Sequence, residues 1–184
     1  MRIIAGKFKG KKISPPTNIK ARPTTDFAKE GIFNVLKNYK NLDGVNFLDV
    51  FAGTGNISYE MFSRGAASGD SVDISLASHM FRKKMIDVLE VDMRSYKLDA
   101  FRYLRTCKKK YDVIFCDPPY GSTKFDKIPE LVFSKELLIK NGLLVVEHPK
   151  QINFTKAPNF VELRNYGKVN FSIFRYNGIS EEEE

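Results

Sequence analysis

The segment from Val45 to Gly65 most constrains what this chain can fold into. Val45-Asn46-Phe47-Leu48-Asp49-Val50-Phe51 is a mostly apolar, strand-like run, and Ala52-Gly53-Thr54-Gly55 follows it directly. Asn56 is a suitable helix N-cap, the residues from Ile57 onward carry helical apolar spacing, and Gly65 is a suitable stop. The unit reads as strand, tight turn and helix. From Val45 onward strand-like and helix-like segments alternate, which predicts an α/β fold: a mostly parallel sheet with helices on both faces. Leu143-Leu144-Val145-Val146-Glu147 is the fifth such strand, and Phe160 to Tyr176, turning at Gly167-Lys168, reads as a closing antiparallel hairpin.

Glycines at such a turn let a ligand approach the backbone, and the helix N-terminus offers N–H groups and a positive dipole end. The ligand is not expected to be a pyrophosphate. The third glycine of the dinucleotide fingerprint is absent, Ser58 standing in its place, and no Gly-Lys-Ser/Thr phosphate loop is present. Asp73, in Ser71-Val72-Asp73-Ile74, lies 20 residues beyond Gly53, the spacing at which a carboxylate can reach a ribose diol. Asp99, between Tyr96-Lys97-Leu98 and the helical Ala100-Phe101-Arg102-Tyr103-Leu104, could accept from an adenine amine. In open α/β sheets ligands bind outside the carboxyl ends of the strands, where both acids fall.

Asp117-Pro118-Pro119-Tyr120 ends the apolar run Tyr111-Asp112-Val113-Ile114-Phe115-Cys116. Two prolines fix φ and remove two N–H donors, so the backbone presents mainly carbonyl acceptors. Asp117 adds a side-chain acceptor and Tyr120 a π-face, a combination suited to gripping the amine of a base pulled out of its stack. A strand-ending turn is the alternative for the tetrapeptide alone.

Charge is concentrated at the N-terminus. Residues 1 to 40 hold ten Lys and Arg against Asp26 and Glu30, an excess equal to the whole chain's net charge of +8. Lys7, Lys9, Lys11 and Lys12, interrupted by Gly6, Phe8 and Gly10, suggest a short hairpin able to lie along phosphates, the alternative being a solvated basic face. Pro15 and Pro16 mark an extended connector to Arg22-Pro23-Thr24-Thr25. A helix follows, capped by Thr24 or Thr25, with Phe27, Ile32, Phe33, Val35 and Leu36 as its apolar face.

These stretches together resemble one family. Asp49 to Gly55 looks like the S-adenosylmethionine loop of class I methyltransferases, and Asp117-Pro118-Pro119-Tyr120 like the catalytic motif of their amino-group branch. Arg2-Ile3-Ile4-Ala5-Gly6-Lys7-Phe8-Lys9-Gly10-Lys11-Lys12-Ile13 and Arg22 to Asp26 through Ile32-Phe33 are similar to the opening of the RsmD family, which methylates N2 of one guanine in bacterial 16S ribosomal RNA. The resemblance runs from Arg2 to about Tyr176 and departs at Asp73, where glutamate is more usual, and in the helix after it. It implies a Rossmann-like methyltransferase fold with an N-terminal β-hairpin extension, and S-adenosyl-L-methionine as cofactor. It also implies a catalytic set of Asp117, Pro118, Pro119 and Tyr120. Arg22, Thr24, Asp49, Phe51, Ala52, Gly53, Thr54, Gly55, Asp73, Ile74, Leu98, Asp99 and Asp117 are implied to hold the cofactor, and Arg2, Lys7, Lys9, Lys11, Lys12 and Arg22 the RNA. For Arg22 and Thr24 a purely structural role is an equal alternative: a helix-capping Thr beside an Arg that pairs with solvent or Asp26.

The expected organisation is one compact domain: a basic extension at 1–40, the methyltransferase portion at 41–178 and an acidic tail at 179–184. A chain of 184 residues with 42% apolar composition suits this. No segment has the length of a membrane span, and the apolar run at Met1-Arg2-Ile3-Ile4 is too short for a signal peptide, so export is not indicated and a cytoplasmic location is expected. A monomer is expected as well. Cys107, Cys116, His79 and His148 have no metal-ligand spacing, so no metal is expected. Cys116 reads as a buried small apolar residue and His148 as a strand-end residue. The expected partner is 16S ribosomal RNA within an assembling small subunit. Two other functions fit parts of the pattern: an adenine-N6 methyltransferase acting on DNA or RNA, and a non-catalytic RNA-binding ribosome assembly factor. A nicotinamide oxidoreductase is disfavoured by the missing glycine.

Overall fold

The computed structural model describes residues 1–17, 19 and 24–178. Helix α1 (Asp26–Tyr39) precedes a regular alternation: β1 (Asn46–Val50), α2 (Asn56–Ser63), β2 (Ser68–Asp73), α3 (Leu76–Leu89), β3 (Met93–Lys97), α4 (Ala100–Thr106), β4 (Tyr111–Cys116), α5 (Lys127–Ser134) and β5 (Leu138–His148). The hairpin β6 (Phe160–Tyr166) and β7 (Val169–Arg175) completes one seven-stranded sheet in the order β3-β2-β1-β4-β5-β7-β6. Strands β1 to β5 are mutually parallel, and β7 runs antiparallel to β5 and β6. Chain order reverses at β1 and β4, so their carboxyl ends flank the crevice where such sheets take ligands.

Alternation along the central strands divides the interior into two cores. Phe47, Val113, Phe115, Leu143 and Val145 face α1, α2 and α3, while Leu48, Val50, Ile114, Cys116, Leu144 and Val146 face α4 and α5. The fifth strand is longer than its apolar run. It starts at Leu138, opposite Tyr111, and a register irregularity before Val113 and Leu143, with Asn141 at φ +60°, absorbs the offset.

The capping of α1 falls to Thr25, whose Oγ1 accepts from the Ala28 N–H at 3.2 Å. Phe27 departs from the expected apolar face. It is 70% exposed and meets the edge of the Tyr166 ring at 5.7 Å. Gly31 makes the helix–sheet approach possible, since a Cβ there would stand 2.2 Å from the Tyr166 ring. Helix α2 begins one position differently from expectation. Gly55, left-handed at φ +88°, is its N-cap, and Asn56 is its first residue.

The basic N-terminal stretch is a short hairpin-like clasp: Arg2 and Lys12 form an antiparallel bridge, the Ile3 N–H donates to the Lys11 carbonyl at 3.1 Å and the Ile13 N–H to the Met1 carbonyl at 3.0 Å. The Lys7 N–H donates to the Ser63 carbonyl at 2.7 Å and the Phe8 N–H to the Ser63 Oγ at 2.9 Å, so the loop caps the C-terminal end of α2. Beneath it, the Ile4 and Ala5 N–H groups donate to the two carboxylate oxygens of fully buried Glu60 at 2.8 and 3.1 Å. Arg64 Nε donates to the same carboxylate at 2.8 Å. Lys29, also fully buried, sits 3.6 Å from Glu60 and donates to the Arg2 carbonyl at 2.6 Å and Asn56 Oδ1 at 2.8 Å. Burial pushes the Lys29 ammonium down from its ordinary value, and Glu60 opposes that shift. Among the described residues no helix is long and apolar enough to cross a membrane. Residues 179–184, the acidic tail, lie outside the described residues.

Candidate active site

A cavity of about 850 Å³ opens at the carboxyl ends of β1, β2, β4 and β5. Its walls bring together most of the residues singled out from the sequence: Thr24, Asp49, Phe51, Ala52, Gly53, Thr54, Asp73, Ile74, Asp99 and the run Asp117, Pro118, Pro119, Tyr120. Two of the expected set stand back from it. Gly55 is the α2 cap, its Cα face turned to the Tyr59 ring, and Leu98 packs against the core under α4 and α5. Arg22 lies outside the described residues.

The glycine loop is shaped from below. Phe51 at φ +62° and Gly53 at φ +50° turn the chain sharply, and a Cβ at Gly53 would meet nothing within 4 Å, so that backbone is bare toward the cavity. Asp73 Oδ2 accepts the Gly53 N–H at 2.9 Å and Asp73 Oδ1 the Ser75 N–H at 2.8 Å, which ties the end of β2 to the loop. Arg82, fully buried on α3, donates from Nη1 to the Gly53 carbonyl at 2.6 Å and from Nη2 to the Tyr96 carbonyl at 3.2 Å. Asp49 is buried at the cavity floor, accepting from the Ser58 N–H at 3.1 Å and the Ser58 Oγ at 2.6 Å. Burial pushes its carboxyl up to about 6, against the opposing pull of Ser58 and Arg82. Asp99 caps α4 by accepting the Arg102 N–H at 2.8 Å.

On the opposite wall, the Asp117 N–H donates to the Val50 carbonyl at 3.2 Å, so the motif continues the alignment of β4 beside β1. The Tyr120 hydroxyl donates to Glu147 Oε1 and Thr24 Oγ1 donates to Glu147 Oε2, each at 3.2 Å. Glu147, 5% exposed at the end of β5, is a cavity residue that sequence reading missed. Arg82 was missed as well: an arginine on an amphipathic helix reads as solvated until the loop above it is placed. His148 faces away, its ring nitrogens bonded to Ser172 Oγ at 2.8 Å and the Pro149 carbonyl at 3.0 Å. Burial holds it below the ordinary histidine value and pushes the Cys116 thiol well up, which leaves Cys116 without thiolate character. Among the described residues no cluster of His, Cys, Asp or Glu is arranged to hold a metal ion.

The basic side chains Lys7, Lys9, Lys11 and Lys12 are exposed on the clasped loop, with the Lys7 and Lys11 ammonium groups 4.8 and 5.6 Å from the centre of the Phe8 ring. Arg2 pairs with Asp26 at 3.2 Å on the surface. A second, more apolar cavity of about 570 Å³ lies between α5 and residues 151–159 and includes none of these groups.

Comparison with known proteins points the same way as the geometry. The family model described as "Conserved hypothetical protein 95" matches residues 1–175. A putative rRNA methyltransferase of Bacillus subtilis is 31% identical over 186 residues, covering 97% of this chain and 100% of that protein. The ribosomal RNA small subunit methyltransferase D of Buchnera aphidicola (subsp. Baizongia pistaciae) is 28% identical, covering 95% of this chain and 91% of its own. Among solved structures, a putative methyltransferase from Escherichia coli superposes with a TM-score of 0.84 at 25% identity, covering 96% and 97% of the two chains. A T. thermophilus 16S rRNA N2 methyltransferase in complex with AdoMet and guanosine shares the fold at 16% identity, with a TM-score of 0.67 over 85% of this chain and 45% of that one.

Proposed function

The chain belongs to the RsmD family, and from that premise we propose that it transfers a methyl group from S-adenosylmethionine to the exocyclic N2 amine of a guanine in 16S ribosomal RNA. The observation that carries this reading is the shared cavity: a glycine loop with bare backbone and strand-end acids on one wall, the Asp117-Pro118-Pro119-Tyr120 motif on the other. The residues fit the cofactor. Asp73 at the end of β2, Ile74 projecting 71% exposed beside it, Asp99 and the backbone from Phe51 to Thr54 would hold it. When bound, S-adenosylmethionine supplies a methyl group already activated on a sulfonium.

This chain's residues then act on the acceptor amine. Its lone pair is delocalised into the purine ring and becomes nucleophilic only as the nitrogen pyramidalises. Asp117 and the Pro118 carbonyl accept the amine N–H groups as positive charge develops there, an interaction stronger in the transition state than in the ground state. Tyr120 holds the ring in place, and such positioning contributes several kcal/mol, on the order of 7 in well-oriented cases. The methylated amine sheds its proton readily, so no tuned general base is needed.

The clasped N-terminal loop, with Lys7, Lys9, Lys11 and Lys12, is the phosphate-contacting part, an extension at 1–40 of a methyltransferase portion at 41–178. We assign the work to a cytoplasmic monomer on small-subunit RNA during assembly. The test is transfer of labelled methyl to 30S particles and to naked 16S RNA from cells lacking this gene, followed by nucleoside analysis. N2-methylguanosine is expected, with Asp117→Ala lowering turnover by at least about 100-fold while calorimetric binding of S-adenosylmethionine is nearly unchanged. N6-methyladenosine as the product would overturn the assignment.

A further inference from the structure

Resting on the guanine-N2 reading, we propose that Glu147 is a specificity-determining residue that accepts the N1–H of the target guanine and thereby excludes adenine. The argument starts from register. Strands β4 and β5 are adjacent and parallel, with Cys116 opposite Val146, and the next residue on each is a carboxylate, Asp117 on one and Glu147 on the other. Phe115 and Val145 face one core and Cys116 and Val146 the other, so one step further Asp117 and Glu147 return together to the face of Phe115 and Val145. Both line the same cavity as Pro118, Pro119 and Tyr120. Neighbouring strands lie about 4.8 Å apart, so the backbones that carry the two carboxylates are adjacent at the strand tips.

An acceptor beside an acceptor is complementary to a donor beside a donor. Guanine presents that pattern on its Watson–Crick edge, N2–H next to N1–H, whereas adenine presents its amine next to the lone pair of N1. With Asp117 on the amine, Glu147 meets a proton in guanine and a lone pair in adenine. The second pairing sets a carboxylate oxygen against a lone pair and is repulsive, a form of rejection stronger than lost attraction. Glu147 is 5% exposed, so little water is available to mask the mismatch.

The carboxylate is oriented for the task. Thr24 Oγ1 and the Tyr120 hydroxyl donate to its two oxygens at 3.2 Å each. A carboxylate accepts about four hydrogen bonds, and these two hydroxyls hold the plane of the group. The Tyr120 bond also joins the ring that holds the base to the acceptor that reads it.

The experiment compares two acceptor bases. Once the methylated guanine is mapped, ligated RNA is made with either guanine or 2-aminopurine at that position. Both carry the 2-amino group, but 2-aminopurine has a lone pair at N1 in place of the proton. The wild-type protein is expected to favour guanine in kcat/KM by at least about 100-fold. Glu147→Gln, whose amide can donate to a bare N1, is expected to lose activity on guanine and gain relative activity on 2-aminopurine, bringing the ratio within about 10-fold. A ratio unchanged by Glu147→Gln, with both substrates lowered alike, would reduce Glu147 to a support for Tyr120 and overturn the proposal. So would a wild-type protein that uses both bases equally, an outcome that needs no variant to fold. Absence of N2-methylguanosine in the mapping step would instead overturn the underlying function.

Discussion

At the scale of single residues, the floor of the cavity carries a titration that opposes folding. An unfolded aspartate releases its proton near pH ~3.9, whereas buried Asp49 holds its proton to about 6. Between those values the native state binds a proton that the unfolded state has released. The contribution is therefore fully present below pH ~4 and is lost as pH rises through about 6, by about 3 kcal/mol in all. Asp49→Asn is expected to remove that fall. Urea unfolding from pH 4 to 7 should show a shallower decline in the variant and a higher stability at pH 7; identical slopes would mean that Asp49 does not titrate as burial dictates. The acids at 49, 73, 99 and 117 were legible because each ends or borders a strand in a recognisable motif. Glu147 was not, because Val-Val-Glu-His names no motif; its meaning arises from the β4–β5 register, which no local pattern encodes.

At the scale of elements, strand and helix alternation told the order and type of nearly everything after Val45. Details that depend on contacts between elements escaped it. Asn56 reads as a cap, yet its side chain is drawn to Lys29 and Thr24, and Gly55 takes the cap because its φ of +88° is left-handed. Phe27 reads as core, yet it is largely exposed and meets the Tyr166 ring at the sheet edge. The N-terminal loop is a further case: its glycines look equivalent and are not. Gly6 and Gly10 both have φ near +83°, but a Cβ on Gly6 would fall 1.6 Å from the Ser63 carbonyl oxygen, while one on Gly10 would meet nothing within 4 Å. Gly10→Ala is expected to cost about 1 kcal/mol from backbone strain alone. Gly6→Ala should cost at least about 2 kcal/mol and loosen the clasp. Chemical denaturation of the two variants checks this; equal losses would show that the loop does not depend on its close approach to α2.

At the scale of the whole molecule, the candidate active-site cavity and the basic loop sit at opposite ends of one helix. The N-terminal end of α2 carries the glycine loop and its C-terminal end is capped by the lysine-bearing clasp. Replacing Lys7, Lys9 and Lys11 by alanine is expected to reduce the slope of log affinity for 16S RNA against log salt by about 2 to 3, each lost phosphate contact removing about 0.7 to 0.9. Affinity for S-adenosylmethionine should be unchanged, and an unaltered salt slope would remove the loop from the RNA surface. The buried Lys29–Glu60–Arg64 cluster ties the clasp to the helix through the Ile4 and Ala5 N–H groups and the Arg2 carbonyl. Helix α2 is thus a ruler: its eight residues set a fixed span of about 12 Å between the two ends, and inserting a single residue would swing the lysines about 100° around the axis.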